Sequence, residues 1–164
     1  MDVAEQNDGI LSAAVRDCLR RSVLGWLATV DADSQPNVSP KEVFAALDGE
    51  QIAIANIASP RSAANVNAQP RVCFSFVDVF VQKGYKLAGT AREILPTADE
   101  FATVAEPLLA MTQGRFPIRS VLLVQVVRVE VIQAPSYWLY PETTEAGQIA
   151  SAMRTYGVQP ALEK

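Results

Sequence analysis

The chain contains no histidine, and this absence excludes several classes of function at once. Ser-His-Asp and Cys-His hydrolases need an imidazole as general base. Zinc sites with histidine ligands and haem held by a proximal histidine are excluded for the same reason. Redox or acid-base chemistry must therefore come from a bound cofactor or from Lys, Tyr, Asp and Glu side chains, and we expect no metal site.

Cysteine is scarce, and long apolar runs are missing. Cys18 falls on the apolar face of a predicted helix and Cys73 inside a predicted strand, so we expect two buried, reduced thiols. The N-terminal sequence MDVAEQND lacks the basic start and apolar core of a signal peptide. No segment has the apolar length of a membrane span. These features predict a cytoplasmic protein with no membrane partner.

Clustered positive charge is also missing. The formal net charge is -4, with 14 Lys and Arg against 18 Asp and Glu. Arg16, Arg20 and Arg21 come closest to a basic patch, and we interpret them as the solvated end of a short helix. Nucleic-acid binding needs many phosphate contacts from one basic face, so no nucleic-acid partner is expected.

The length and the pattern of apolar residues predict one mainly β (α+β) domain over residues 1–164. Helical spacing indicates a first helix over 9–21, a short helix from Ser59 to Ala68, another over 97–111 and a C-terminal helix over 142–156. Six strands are predicted between residues 24 and 133, beginning near 24, 36, 51, 71, 84 and 120. Such a run of strands with short turns favours a small antiparallel barrel. Residues 121–127 are apolar on both faces, which predicts burial against a helix or a partner subunit.

Residues 36–65 carry the strongest functional signal. A strand reading PNVSPK is followed by a hairpin at Asp48-Gly49, a strand reading IAIAN, and a helix start reading ASPRSAANV. Ser59 suits a helix N-cap and Pro60 the first helical position. Free N–H groups at this helix start, beside Arg61 and Lys41, would suit a phosphate dianion. An ordinary cap with Arg61 as a surface charge is the alternative.

The segments LATVD, PNVSPK, ASPRSAANV, PRVCFSFVD and GYKLAGTARE together resemble the pyridoxamine-phosphate-oxidase-like flavoproteins, over about residues 22 to 95. The resemblance implies a six-stranded antiparallel split β-barrel with flanking helices. It also implies FMN at the interface of a homodimer. The implied cofactor-binding residues lie on the second strand, at the turn and helix that follow the third strand, and on the fifth strand: Val38, Ser39, Pro40, Lys41, Asn56, Ile57, Ala58, Ser59, Arg61, Ser62, Asn65, Lys83 and Tyr85.

The sequence departs from true pyridoxamine phosphate oxidases where those enzymes hold their substrate. They are expected to carry Tyr, Arg and Ser in the helix after the fifth strand, and an Arg and a His near the C-terminus. Residues 97–113 contain neither Tyr nor Arg, and histidine is absent. We therefore expect an FMN-dependent oxidoreductase with an unidentified small-molecule substrate. A flavin-binding or sensor protein without turnover and a deazaflavin-dependent reductase are the alternatives.

Two further groups have an open role. Tyr137, Trp138 and Tyr140 could form an aromatic wall for a flavin, although core packing or a dimer contact is favoured. Arg115 and Arg119 flank Phe116-Pro117 and could reach an anionic substrate, although a solvated loop is favoured.

Overall fold

The computed structural model describes residues 9–161. Its helices and strands follow in the order α1 (Ala13–Arg21), β1 (Gly25–Val30), β2 (Pro36–Lys41), β3 (Phe44–Ala46), β4 (Gln51–Asn56), α2 (Pro60–Ala68), β5 (Arg71–Asp78), β6 (Lys83–Ile94), α3 (Phe101–Thr112), β7 (Ser120–Gln133), α4 (Ser136–Leu139) and α5 (Glu145–Tyr156). The predicted domain of residues 1–164 extends past both ends, so residues 1–8 and 162–164 lie outside the described residues.

One antiparallel sheet contains the described strands, in the order β2-β1-β5-β6-β7-β4-β3. Strands β2 and β3 lie at its opposite edges, yet only Glu42 and Val43 separate them in the chain. Three residue steps from Lys41 to Phe44 reach at most about 11 Å. The sheet must therefore curl until its edges approach each other, and the predicted split barrel with flanking helices is confirmed.

The described strands number seven rather than the predicted six. The difference lies in residues 36–47, which the sequence pattern presents as one strand. Residues up to Lys41 pair with β1, whereas pairing with β4 begins at Phe44. One extended segment thus changes partners at Glu42 and Val43, because the two edges of the curled sheet meet there.

Two apolar clusters hold the sheet in this shape. The first fills the inside of the curl and includes the fully buried side chains of Phe74, Phe76, Leu87 and Leu122. The second lies between α3 and the opposite face of strands β4 and β7. Alternate residues of β7 enter the two clusters as far as Val126, and α3 covers Val121 and Leu123, whereas Val127 is 64% exposed. The apolar pattern of residues 121–126 is therefore explained within one chain and is no longer an argument for a partner subunit.

Several helix boundaries differ from the predictions. Helix α3 begins at Phe101, because residues 95–100 form turns in which the N–H groups of Ala98 and Phe101 donate to Leu95 and Ala98. The helix continues past Pro107 to residue 112. Helix α1 begins at residue 13 after the Ser12 cap, and α5 begins at residue 145, where the Thr144 hydroxyl accepts from Gly147 N–H at 3.1 Å. The short helix α4 was not predicted.

Both cysteines are free thiols. Cys18 is buried, as predicted, but Cys73 is only half-buried. It lies on the outer face of the sheet, in register with Ala28 and Ala88. Small neighbours leave its side chain partly uncovered, so the prediction of two buried thiols holds for Cys18 alone. None of the helices within residues 9–161 combines the length and apolar character needed to cross a bilayer.

Candidate functional site

The candidate site begins on β2, where side chains alternate between the two faces of the sheet. Val38 and Pro40 are exposed on the outer face, whereas Ser39 and Lys41 point to the inner one. Lys41 is the last residue of β2, opposite Gly25 of β1, and only 5% of it is exposed. Strand alternation therefore places a hydroxyl and an ammonium group side by side on the inner face, near the point where the two edges of the curled sheet meet.

Lys41 joins three serines in what we call the serine-lysine cluster, formed by Ser39, Lys41, Ser59 and Ser62. The Lys41 Nζ donates to Ser39 Oγ at 2.5 Å and to Ser59 Oγ at 2.6 Å. The Ser62 hydroxyl, fully buried on α2, donates to Ser39 Oγ at 3.2 Å. The cluster thus connects β2 to the first turn of α2.

The serine-lysine cluster keeps three polar hydrogens that its own hydrogen bonds do not use. Its three hydroxyls and one ammonium group carry six polar hydrogens, and the three hydrogen bonds within it use three of them. The described part of the chain offers no acceptor for the others. No carboxylate in that part pairs with Lys41, and burial lowers the pKa of Lys41 from 10.5 to about 8. A cationic group held this way is suited to an anion.

Ser59 precedes α2, but its side chain does not form the predicted N-cap hydrogen bond. Its oxygen accepts from Lys41 instead, because the ammonium group lies within 2.6 Å. The early backbone N–H groups of α2 therefore have no capping hydroxyl from Ser59. Arg61, at the second position of α2, is exposed and forms no hydrogen bond or ion pair with the other described residues. Both features keep donors available for a ligand at this helix start.

Two asparagines of the predicted site support its framework. The Asn65 amide donates to Thr29 Oγ1 at 2.9 Å and thereby ties α2 to β1. The Asn56 side chain donates to Ser120 Oγ at 2.9 Å and accepts from the Ser59 N–H at 3.2 Å. These hydrogen bonds are made within the protein, so the predicted ligand contacts of Asn56 and Asn65 remain predictions.

A cavity of about 230 Å³ opens beside the cluster. Its wall combines the end of β2, the partner change after it and the turn before α2: Pro40, Lys41, Glu42, Val43, Ala55, Ile57, Ala58, Ser59 and Phe116. Ligand pockets usually measure about 300 to 1,000 Å³. The described chain therefore supplies part of a cofactor-sized site. Ile57 and Ala58, both predicted site residues, belong to this wall.

Lys83 and Tyr85 lie apart from the serine-lysine cluster. Tyr85 of β6 is in register with Phe76, Gly25 and Lys41, which puts it three strands away across the curled sheet. The Lys83 ammonium group contacts Glu145 at 2.8 Å and lies 4.3 Å from the ring centre of Tyr137. Within one chain these two residues do not join the site, and their predicted contact with a cofactor remains a prediction.

Sequence reasoning missed Glu42, Val43 and Phe116 as wall residues. Glu42 and Val43 enter the site only because the extended segment changes from pairing with β1 to pairing with β4 there. No local sequence pattern indicates that change. Phe116 was considered only because Arg115 and Arg119 flank it, and not as a site residue. Arg115 forms a 3.4 Å hydrogen bond with Gln113, and the backbone N–H of Arg119 donates to the Asn56 carbonyl. The solvated loop favoured for these arginines agrees with these contacts.

The aromatic segment before the C-terminus lies on the turn between β5 and β6. The Tyr137 hydroxyl donates to the Val81 carbonyl at 2.8 Å, while Trp138 and Tyr140 are exposed. Packing is thus the observed role of Tyr137. A larger cavity, of about 740 Å³, lies elsewhere between α1, β3 and α3, and Arg20 at its rim is paired with Asp17.

Comparison with known proteins agrees with this architecture. The family model of pyridoxamine 5'-phosphate oxidase matches residues 11–133, well over half of the chain. The chain therefore belongs to the pyridoxamine 5'-phosphate oxidase-like split-barrel family, and the resemblance seen in the sequence is confirmed. A search of curated proteins finds no match.

Three solved structures illustrate the shared fold. HupZ from Group A Streptococcus is 24% identical, with a TM-score of 0.65 over 75% of this chain and 94% of that one. An FMN-binding protein from Syntrophomonas wolfei subsp. wolfei is 17% identical, with a TM-score of 0.63 over 73% and 84%. An F420 reductase is 24% identical, with a TM-score of 0.55 over 70% and 94%. At these identities the structures show a common fold and no more.

Proposed function

We propose that this protein binds FMN through its phosphate at the serine-lysine cluster and acts as an FMN-dependent oxidoreductase on a small organic substrate. The observation that carries the proposal is the set of donors without acceptors around the buried Lys41. A phosphate dianion provides several acceptor oxygens together with the negative charge that a buried ammonium group requires.

Each element of the site has a task in this proposal. Lys41, Ser39 and Ser59 donate to the phosphate from one side, and Arg61 with the first N–H groups of α2 donates from the other. The backbone of Val38 to Pro40 and of residues 56–58 faces the ring. Bound FMN supplies hydride exchange with an organic substrate or a nicotinamide, while the protein supplies position and electrostatics.

A second copy of the chain completes the pocket in this proposal. The cavity of about 230 Å³ is too small for a whole flavin nucleotide, and Lys83 and Tyr85 are too far from Lys41 within one chain. The outer face of β1 and β2 also carries exposed apolar side chains, with Trp26 46% and Val38 59% exposed. We propose a homodimer that buries this face, with Lys83 and Tyr85 of the other copy kept as predicted contacts of the cofactor.

The test begins with the colour of the purified protein. We expect flavin absorbance, and we expect mass analysis of the ligand released on denaturation to identify FMN. Anaerobic addition of NADH or NADPH should then bleach the flavin. Colourless protein that takes up no added FMN would refute the proposal. Bound FMN that neither nucleotide reduces would favour the carrier or sensor alternative.

A deazaflavin-dependent reductase remains the second candidate, since a protein described as an F420 reductase shares the fold. The donor cluster favours FMN, because a terminal phosphate has three free oxygens, whereas a phosphodiester has only two. The ligand mass separates the two cofactors directly. Release of a deazaflavin would replace FMN in the proposal without changing the site.

A further inference from the structure

A chain of hydrogen bonds leads from the candidate site to a glutamate on a different strand. The Ser59 N–H donates to Asn56 Oδ1 at 3.2 Å, and Asn56 Nδ2 donates to Ser120 Oγ at 2.9 Å. The Ser120 hydroxyl donates to Glu93 Oε1 at 2.6 Å. Asn67 of α2 donates to the other carboxylate oxygen of Glu93 at 2.8 Å. These contacts connect β6, β7 and β4 to the turn that precedes α2.

The Glu93 carboxylate determines which group donates and which accepts at each step of this series of hydrogen bonds. An ionised carboxylate only accepts, so the single hydrogen of the Ser120 hydroxyl must point to Glu93. The Ser120 oxygen is then left to accept from the Asn56 NH₂ group. That orientation turns the Asn56 carbonyl oxygen toward the Ser59 N–H. An acceptor at position 93 therefore determines which end of the Asn56 amide faces the site.

We infer that Glu93 is a positioning residue for the anion site, acting through Ser120 and Asn56. It holds the turn before α2 so that the Ser59 hydroxyl faces Lys41. The inference rests on the proposed function, because it assigns Glu93 to the phosphate end of the cofactor. Ser120 and Asn56 are buried, so water does not easily replace the interrupted hydrogen bonds.

The test compares FMN with riboflavin, which lacks the phosphate, in titrations of ligand-free protein. In Glu93→Ala we expect FMN affinity to fall by about tenfold, the usual effect of losing one charged hydrogen-bond partner. Riboflavin affinity should fall much less than FMN affinity, because the Ser59 contact that Glu93 positions is made to the phosphate, which riboflavin lacks. Glu93→Gln keeps an acceptor oxygen for Ser120 and should restore most of the FMN affinity. The matched control is Glu100→Ala, which removes an exposed carboxylate whose partner is Arg92; both affinities should remain at the wild-type level.

A second measurement makes the test independent of the cofactor. Hydrogen exchange of the Ser59 amide, measured by NMR in ligand-free protein, should be faster in Glu93→Ala than in wild type. Ser120→Ala breaks the same chain at another point and should have the same effects, so it serves if Glu93→Ala does not fold.

The possible outcomes separate the inference from the proposed function. Equal loss of FMN and riboflavin, or an unchanged preference for FMN with unchanged Ser59 exchange, would overturn the inference. Failure of the wild-type protein to bind FMN would refute the proposed function instead. The exchange of the Ser59 amide would then decide by itself whether Glu93 holds the turn.

Discussion

Replacing Lys41 with methionine should have opposite effects on folding and on FMN binding. Lys41 is 5% exposed, and burial lowers its pKa from 10.5 to about 8. A depression of this size corresponds to about 3 kcal/mol of unfavourable desolvation when the amine is charged. Methionine fills similar space without charge, although the hydrogen bonds to Ser39 and Ser59 are lost. We expect ligand-free K41M to be about 1 to 3 kcal/mol more stable than wild type at pH 7.

The size of this stability difference depends on pH. Below pH 8 Lys41 is protonated in both the folded and the unfolded chain, so the full penalty applies. Between pH 8 and 10.5 the unfolded chain binds the proton that the folded chain has released. Wild-type stability therefore rises with pH through this window relative to K41M. Urea unfolding of both proteins at several pH values measures the difference, which should shrink toward zero near pH 10.5.

FMN binding should respond in the opposite direction. Loss of the charged donor should weaken FMN affinity by about 1.5 to 3 kcal/mol, or roughly 10- to 150-fold in Kd. Phosphate stabilises the protonated amine, so wild-type affinity should decline above about pH 8, whereas K41M should show no such decline. Calorimetric titration gives both quantities. A variant that is less stable than wild type at pH 7, or that keeps full FMN affinity, would refute the reasoning.

Three other substitutions test separate parts of the account. Arg61→Ala should weaken FMN binding by about 1.5 to 3 kcal/mol, with riboflavin affinity unchanged, in the same titration. Gly25→Ala would place a Cβ 2.2 Å from the buried ring of Phe74, and overpacking should lower the unfolding free energy by about 1 to 3 kcal/mol in urea. Trp26→Asp would put a charge on the outer face of the sheet, and sedimentation should show a monomer where the wild type is a dimer. Wild-type behaviour of any of these variants would contradict the corresponding assignment.

Much of the fold follows from local patterns. PNVSPK is a strand as predicted, and the predicted Asp48-Gly49 hairpin joins β3 to β4. The partner change at Glu42 could not be predicted, because it depends on the far edges of the sheet meeting. Local residues remain extended on both sides of it. A pattern that follows backbone conformation cannot report which strand provides the hydrogen bonds.

In the candidate site, too, some features follow from the local sequence and others depend on contacts between distant segments. Ser59 has the position of an N-cap, but its hydroxyl oxygen accepts a hydrogen bond from the ammonium group of Lys41, which lies 18 residues earlier on β2. Glu93 and Ser120 gave no signal in the sequence, since the register of β6 against β7 brings them together. Short-range spacing thus identifies candidate donors. Long-range strand pairing decides what each donor contacts.

The central claim is that the serine-lysine cluster holds the phosphate of FMN. Titration of ligand-free wild-type protein with FMN and with riboflavin, repeated with K41M, tests it most directly. The account predicts that wild-type protein binds FMN at least about tenfold more tightly than riboflavin, and that K41M loses most of this preference. Equal affinity of the wild-type protein for the two ligands, or an FMN preference that K41M retains in full, would contradict it.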